Sequence, residues 1–184
     1  TFINIATNDG DSITALASHG DRVFQFKERI LYIYNISEED EFVESAQPIM
    51  GVTHQGAVCS TPDGIAWVNK TGVYYFDGES IRNITEKESG AILNPVHQNG
   101  TGWDSYVIKP IIGYDPTSKR LILNGNSFGS ASYSTELNWY SFHIPTATWS
   151  KFKAGASDDD YLSNIATSTY YKAAVYLQTK TTGN

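Results

Sequence analysis

The sequence predicts an all-β protein built of β-propeller-like antiparallel blades, about four units that form part of a larger propeller. Three observations carry this. The first is the stretch from Gly56 to Thr85. Its apolar runs Ala57-Val58-Cys59, Ile65-Ala66-Trp67-Val68, Val73-Tyr74-Tyr75-Phe76 and Ile81-Arg82-Asn83-Ile84 are too short and too closely spaced for helices. The second is the turn chemistry between those runs: Pro62-Asp63-Gly64, Asn69-Lys70-Thr71-Gly72 and Asp77-Gly78, residue types that supply the positive φ angles of tight hairpins. The third is recurrence. Arg22 to Phe26, a turn, and Ile30 to Tyr34 parallel Ile65 to Val68, a turn, and Val73 to Phe76. The offset is about 42 residues, within the ~40–50 of a blade repeat.

Taken in order, Asn8-Asp9-Gly10-Asp11 reads as a turn in a lead-in over residues 1–12. Ile13-Thr14-Ala15-Leu16 opens the first unit, 11–36, followed by Arg22–Phe26 and Ile30–Ile36. Ser37 to Glu41 is then a solvated acidic loop. The second unit spans 54–85 and the third 108–153. In the third, Ile111–Tyr114 and Arg120–Leu123 form one hairpin, and Leu137–His143 and Thr148–Phe152 the other. A fourth begins at 163–180 with Ile165–Ser168 and Ala173–Leu177. Two insertions interrupt the pattern, 86–107 and 124–136. The latter is rich in Gly, Ser and Asn and is expected to be a surface loop able to meet a partner. A chain that starts without Met and stops at a partial unit reads as a piece of a longer polypeptide. Each four-stranded sheet has apolar residues on both faces and must stack on neighbours to cover them, which places the rings of Tyr32, Tyr34 and Trp67 between sheets.

Composition narrows the function. Aromatic residues make up 13% of the 184, with 12 Tyr and 8 Phe against a single Met, a balance that favours strands. The net charge of −7 disfavours a grip on nucleic-acid phosphates, which needs clustered Lys and Arg, so no specific nucleic acid is expected as partner. No apolar run approaches the ~20 residues of a membrane helix, so no membrane partner is expected. Cys59 is alone, which excludes an internal disulfide and a cysteine zinc site; it reads as a buried, inert thiol.

No catalytic constellation emerges, and the chain is expected to be no enzyme, with no cofactor and no metal. His19, His54, His97 and His143 never fall at metal-ligand spacing. Ser60 to Trp67 approaches the Asp-box of sialidase-like propellers but lacks the spacer between Asp63 and Gly64. Asp9-Gly10-Asp11 and Asp158-Asp159-Asp160 offer carboxylates to calcium, but turn chemistry and a solvated acidic loop account for them better. The sequons at Asn35, Asn69, Asn83 and Asn99 read as chance in so Asn-, Ser- and Thr-rich a chain. For interaction, Trp103, Trp139 and Tyr133 are the candidate residues, since exposed rings in loops stack on sugars or on protein partners.

Three stretches carry a resemblance. They are Gly10-Asp11-Ser12-Ile13-Thr14-Ala15-Leu16 with Asp21 to Glu28 and Ile30 to Ile33; Thr61 to Gly78; and Ile112-Gly113-Tyr114-Asp115-Pro116 to Ile122. Together they resemble β-propeller segments of tailed-bacteriophage virion proteins, over roughly residues 10–153. Gly72 to Gly78 also resembles sensor-type propellers of bacterial regulators, and Trp139-Tyr140 to Trp149 resembles kelch blades. The phage resemblance implies a structural part of the virion tail (tube, nozzle, adaptor or fibre-docking protein). Its implied partners are other virion proteins and its own copies in a homo-oligomeric ring. The alternative expectation is a binding propeller that recognises a host surface glycan or a regulatory ligand.

Overall fold

The computed structural model describes residues 10–37, 41–85, 110–124 and 136–155. These form twelve strands in three antiparallel four-stranded sheets, with one 3₁₀ turn, Gln55–Ala57. The first sheet holds β1 (Ile13–His19), β2 (Arg22–Lys27), β3 (Ile30–Asn35) and β4 (Phe42–Pro48). The second holds β5 (Val58–Thr61), β6 (Gly64–Asn69), β7 (Gly72–Phe76) and β8 (Ile81–Asn83), and the third β9 (Ile111–Asp115), β10 (Arg120–Asn124), β11 (Glu136–His143) and β12 (Thr148–Gly155). Each sheet is a simple meander in chain order. The first strands of successive sheets, β1, β5 and β9, lie side by side.

The sequence expectation for the first unit ends at Ile36, but that sheet has a fourth strand. β4, Phe-Val-Glu-Ser-Ala-Gln-Pro, is largely exposed and mixes polar with apolar residues, so its composition gives little strand signal. Pairing to β3 makes it a strand, with a register shift between Ile33 and Tyr34. The hairpins of the second and third units fall where the turn residues place them. The unit expected at 163–180, and the interior of both insertions, lie outside the described residues.

Side-chain parity explains how the sheets stack. Phe24 pairs with Ile33 and Phe26 with Leu31, so all four share one face of the first sheet, and all are buried. That face meets Ile65, Trp67, Tyr74 and Phe76 of the second sheet. Phe24 lies 5.0 Å from the Phe76 ring centre and Phe26 5.6 Å from Trp67, while Trp67 stacks on Tyr74 at 5.5 Å. Tyr32 and Tyr34 pair with Gln25 and Val23, and therefore point to the opposite face, away from the second sheet. The rings that the first sheet sends between these two sheets are thus Phe24 and Phe26, not the two tyrosines.

The second sheet is covered on both sides. Every residue from Gly64 to Val68 and from Gly72 to Phe76 is buried, which accounts for the near-continuous apolar runs there. Gly72 and Gly78 take positive φ, 151° and 97°, as the turn signals predict. Gly64 is different. It is required because a Cβ there would run into the Phe76 carbonyl across the β6–β7 ladder.

Three cross-sheet contacts set the ends in common. Arg22 Nη1 donates to the Gly78 carbonyl at 3.3 Å, joining the β1–β2 turn of the first sheet to the β7–β8 turn of the second. Tyr114, at the end of β9, is close enough to Asp63 in the β5–β6 turn to feel its charge. At the opposite end, Asn69 Nδ2 donates to the carbonyls of Ile49 and Gly51, each at 2.9 Å. One end of the described assembly therefore carries Asp21, Glu41, Asp63, Asp77, Glu79 and Asp115. The other carries the β2–β3 turn, the β4–β5 connection and the β6–β7 turn.

Candidate functional site

The sheets diverge from their tightly packed first strands, and the gap between the first and second widens outward into a cleft of about 330 Å³. Its inner boundary is apolar, with Ile33, Met50, Phe76 and Ile81. Its walls are polar because β4 sends Ser45 and Gln47 inward, on the same face as the buried Ile33 and Leu31. Short polar side chains cannot fill the space that large apolar ones fill nearer the first strands.

Arg22 and Glu44 dominate the cleft's electrostatics. Arg22 Nε donates to both Glu44 oxygens, at 3.0 and 2.8 Å, and its guanidinium lies 5.7 Å from the Phe76 ring centre. That hydrogen bond holds the Glu44 carboxyl below the ordinary carboxylate range and raises the guanidinium further. Asn35 Nδ2 also donates to Glu44, at 3.3 Å. The pair is mutually neutralised, so it serves the shape of the cleft more than the capture of a charged ligand. Glu79 adds a carboxylate at the rim.

The residues with chemical potential are otherwise engaged. His19 meets the edge of Phe76 at 6.1 Å, His54 Nδ1 shares a hydrogen bond with Thr53 Oγ1, and His143 Nδ1 shares one with Thr146 Oγ1. His97 lies outside the described residues. Asp11 accepts the backbone N–H groups of Glu28 and Arg29, at 3.2 and 3.0 Å, so its carboxylate closes the β2–β3 turn. Asp9 and Asp158 to Asp160 are outside the described residues. Among those described, no group of three His, Cys, Asp or Glu converges as a metal site would require. Burial pushes the Cys59 thiol up to about 11, so at neutral pH it is protonated and a poor nucleophile.

Of the candidate interaction residues, Trp103 and Tyr133 fall outside the described residues. Trp139 sits on β11, its backbone opposite Phe152 and Asn124, with its side chain outside the described set.

What the sequence reading missed is a set of strand-end clamps. Asn69 Oδ1 accepts from Thr71 N and Thr71 Oγ1, at 2.8 and 2.6 Å. Asn83 Oδ1 accepts in the same way from Thr85 N and Oγ1, at 3.0 and 2.6 Å, and Asn35 from Ser37 N and Oγ. Each is an Asn-x-Ser/Thr sequence at the end of a strand. The recurrence was visible, and an Asx-turn, not chance, is what it encodes. Comparison with protein-family models and with curated protein sequences returned no match for this chain.

Proposed function

We propose that this chain is a non-enzymatic structural module: part of a β-propeller in the tail of a bacteriophage, assembled into the virion through contacts with other virion proteins. The observation that supports this best is the run of three consecutive four-stranded meanders whose first strands adjoin, with the middle sheet buried on both faces. Sheets stacked in that way match what successive blades of a propeller would look like, which supports the reading. The engagement of His54, His143 and Asp11 by local turn partners favours a scaffold over a reaction centre. The net charge of −7 suits a wall past which nucleic acid moves without adhering.

The scaffold works by presenting turns. The buried runs of β6 and β7 hold the loops at both ends of the second sheet, and loops on such a frame are where neighbouring subunits dock. Mass spectrometry of purified particles provides the test. Peptides of this chain should be present in intact virions in a fixed ratio to the other tail proteins. Their absence from particles whose genome encodes the chain would remove the virion reading. A specific glycan signal from the isolated protein, lost on Trp103→Ala, would put the glycan-binding alternative in its place.

A further inference from the structure

The cleft between the first two sheets carries a charge that its own residues do not balance. Arg22, Glu44 and Glu79 line it, and the charged chain neighbours of its lining residues are Asp21, Asp77 and Arg82. Four carboxylates therefore stand against two guanidinium groups. Each guanidinium is already bound to a carboxylate, Arg22 to Glu44 at 2.8 Å and Arg82 to Asp77 at 2.7 Å. Asp21 acts on Arg22 through space but forms no ion pair among the described residues. Glu79 is exposed at the rim. Its backbone N–H donates to Asp77, and its carboxylate has no partner among the described residues. The unmatched charge is negative.

The other walls narrow what such a cleft takes. Met50 and Ile81 are half-buried in its floor, so an occupant meets apolar surface below the charged rim. An anion finds little there, because Arg22 has Nε committed to Glu44 and Nη1 to the Gly78 carbonyl. A sugar finds no ring to lie on: Phe76 is 3% exposed, and the Arg22 guanidinium lies over it. The volume of about 330 Å³ is at the lower end of the ~300–1,000 Å³ of ligand sites, which suits a single side chain better than an oligosaccharide. Ser45 and Gln47 add a hydroxyl and an amide oxygen as acceptors.

We propose that the cleft receives a lysine side chain of a partner protein, its methylenes against Met50 and Ile81 and its ammonium at Glu79. Lysine joins both requirements in one side chain, since its stem packs on apolar surface and its head is a compact cation with three donors. The Arg22–Glu44 pair keeps the cleft open, and Glu79 supplies the attraction. The proposal needs only a partner protein, so it stands apart from the virion reading.

Met50 is the single methionine of the chain, so carbon-13 in the methionine methyl group gives a nuclear magnetic resonance signal that reports on the cleft alone. Nα-acetyl-lysine N-methylamide should move that signal saturably, and added salt should weaken the effect. The norleucine analogue, which keeps the stem and lacks the ammonium, should bind more weakly by about fivefold or more. Glu79→Gln should raise the dissociation constant of the lysine probe about fivefold, as for the loss of one exposed ion pair. Ser45→Leu, which fills the cleft from a face already apolar, should abolish the shift without lowering the melting temperature. Absence of a saturable shift overturns the proposal, as does an equal response to the norleucine analogue. An unchanged affinity in Glu79→Gln, or a response that persists in Ser45→Leu, does the same. A shift produced by methyl galactoside and not by the lysine probe would give the cleft to a glycan instead.

Discussion

Both ends of the Asn69 amide are engaged. Its oxygen accepts from the backbone and hydroxyl of Thr71, and its nitrogen donates to two carbonyls in the connection between the first and second sheets. One side chain therefore shapes a hairpin and ties two sheets. Asn69→Ala is expected to cost about 2–3 kcal/mol, since each net hydrogen bond contributes ~0.5–1.5 and the two carbonyls lose their donor. Asn69→Asp, which keeps the acceptor but sets a charged oxygen against the two carbonyls, should cost at least as much as alanine. Urea midpoints of the two variants measure this. A shift too small to resolve for Asn69→Ala would mean that water takes over its bonds. The Asn-x-Thr pattern was in plain view in the sequence. The donor role toward Ile49 and Gly51 was not, because those residues lie 20 and 18 positions away and only sheet stacking brings them near.

At the scale of the strand, β6 and β7 are the most readable elements and the most committed. Apolar residues on both phases of the pleat imply burial on both faces, and Trp67 at 0% exposure is the largest of them. Trp67→Ala should destabilise by about 3–5 kcal/mol, because the space between Phe24, Phe26 and Tyr74 cannot collapse around an alanine. Trp67→Phe should cost less than half as much. The indole N–H is buried with no acceptor among the described residues, so its removal offsets part of the lost packing. Denaturation curves of the two variants decide it; equal losses would mean that the indole N–H has a partner. β4 shows the opposite case. Its polar, exposed sequence does not announce a strand, and only the free edge of β3 makes it one.

Across the whole molecule, burial leaves an alkaline signature. Desolvation raises the Cys59 thiol to about 11 and lifts the Tyr34, Tyr114 and Tyr140 hydroxyls above their ordinary value. For each, the folded state holds its proton more tightly than the unfolded chain, which adds stability at neutral pH. That contribution is complete below the unfolded pKa and is lost as pH rises through the folded one. Urea midpoints should therefore hold steady through neutrality and fall from about pH 9 upward, where an ordinary thiol begins to ionise. In Cys59→Ala the first part of that fall, between about 9 and 11, should be shallower. A midpoint falling equally steeply in that variant would assign the whole effect to the tyrosines and other groups.

Local sequence was enough to determine the all-β character, the hairpins of the second and third sheets and the burial of Trp67, because turn chemistry and the two-residue pleat act between near neighbours. Tertiary structure alone decided that Phe24 and Phe26, not Tyr32 and Tyr34, meet the second sheet, and that Gly64 answers to a carbonyl instead of a turn. It alone also decided that Ile49 stands exposed on a left-handed backbone. Each depends on which face of one sheet another sheet covers, and that is settled by packing between residues far apart in the chain.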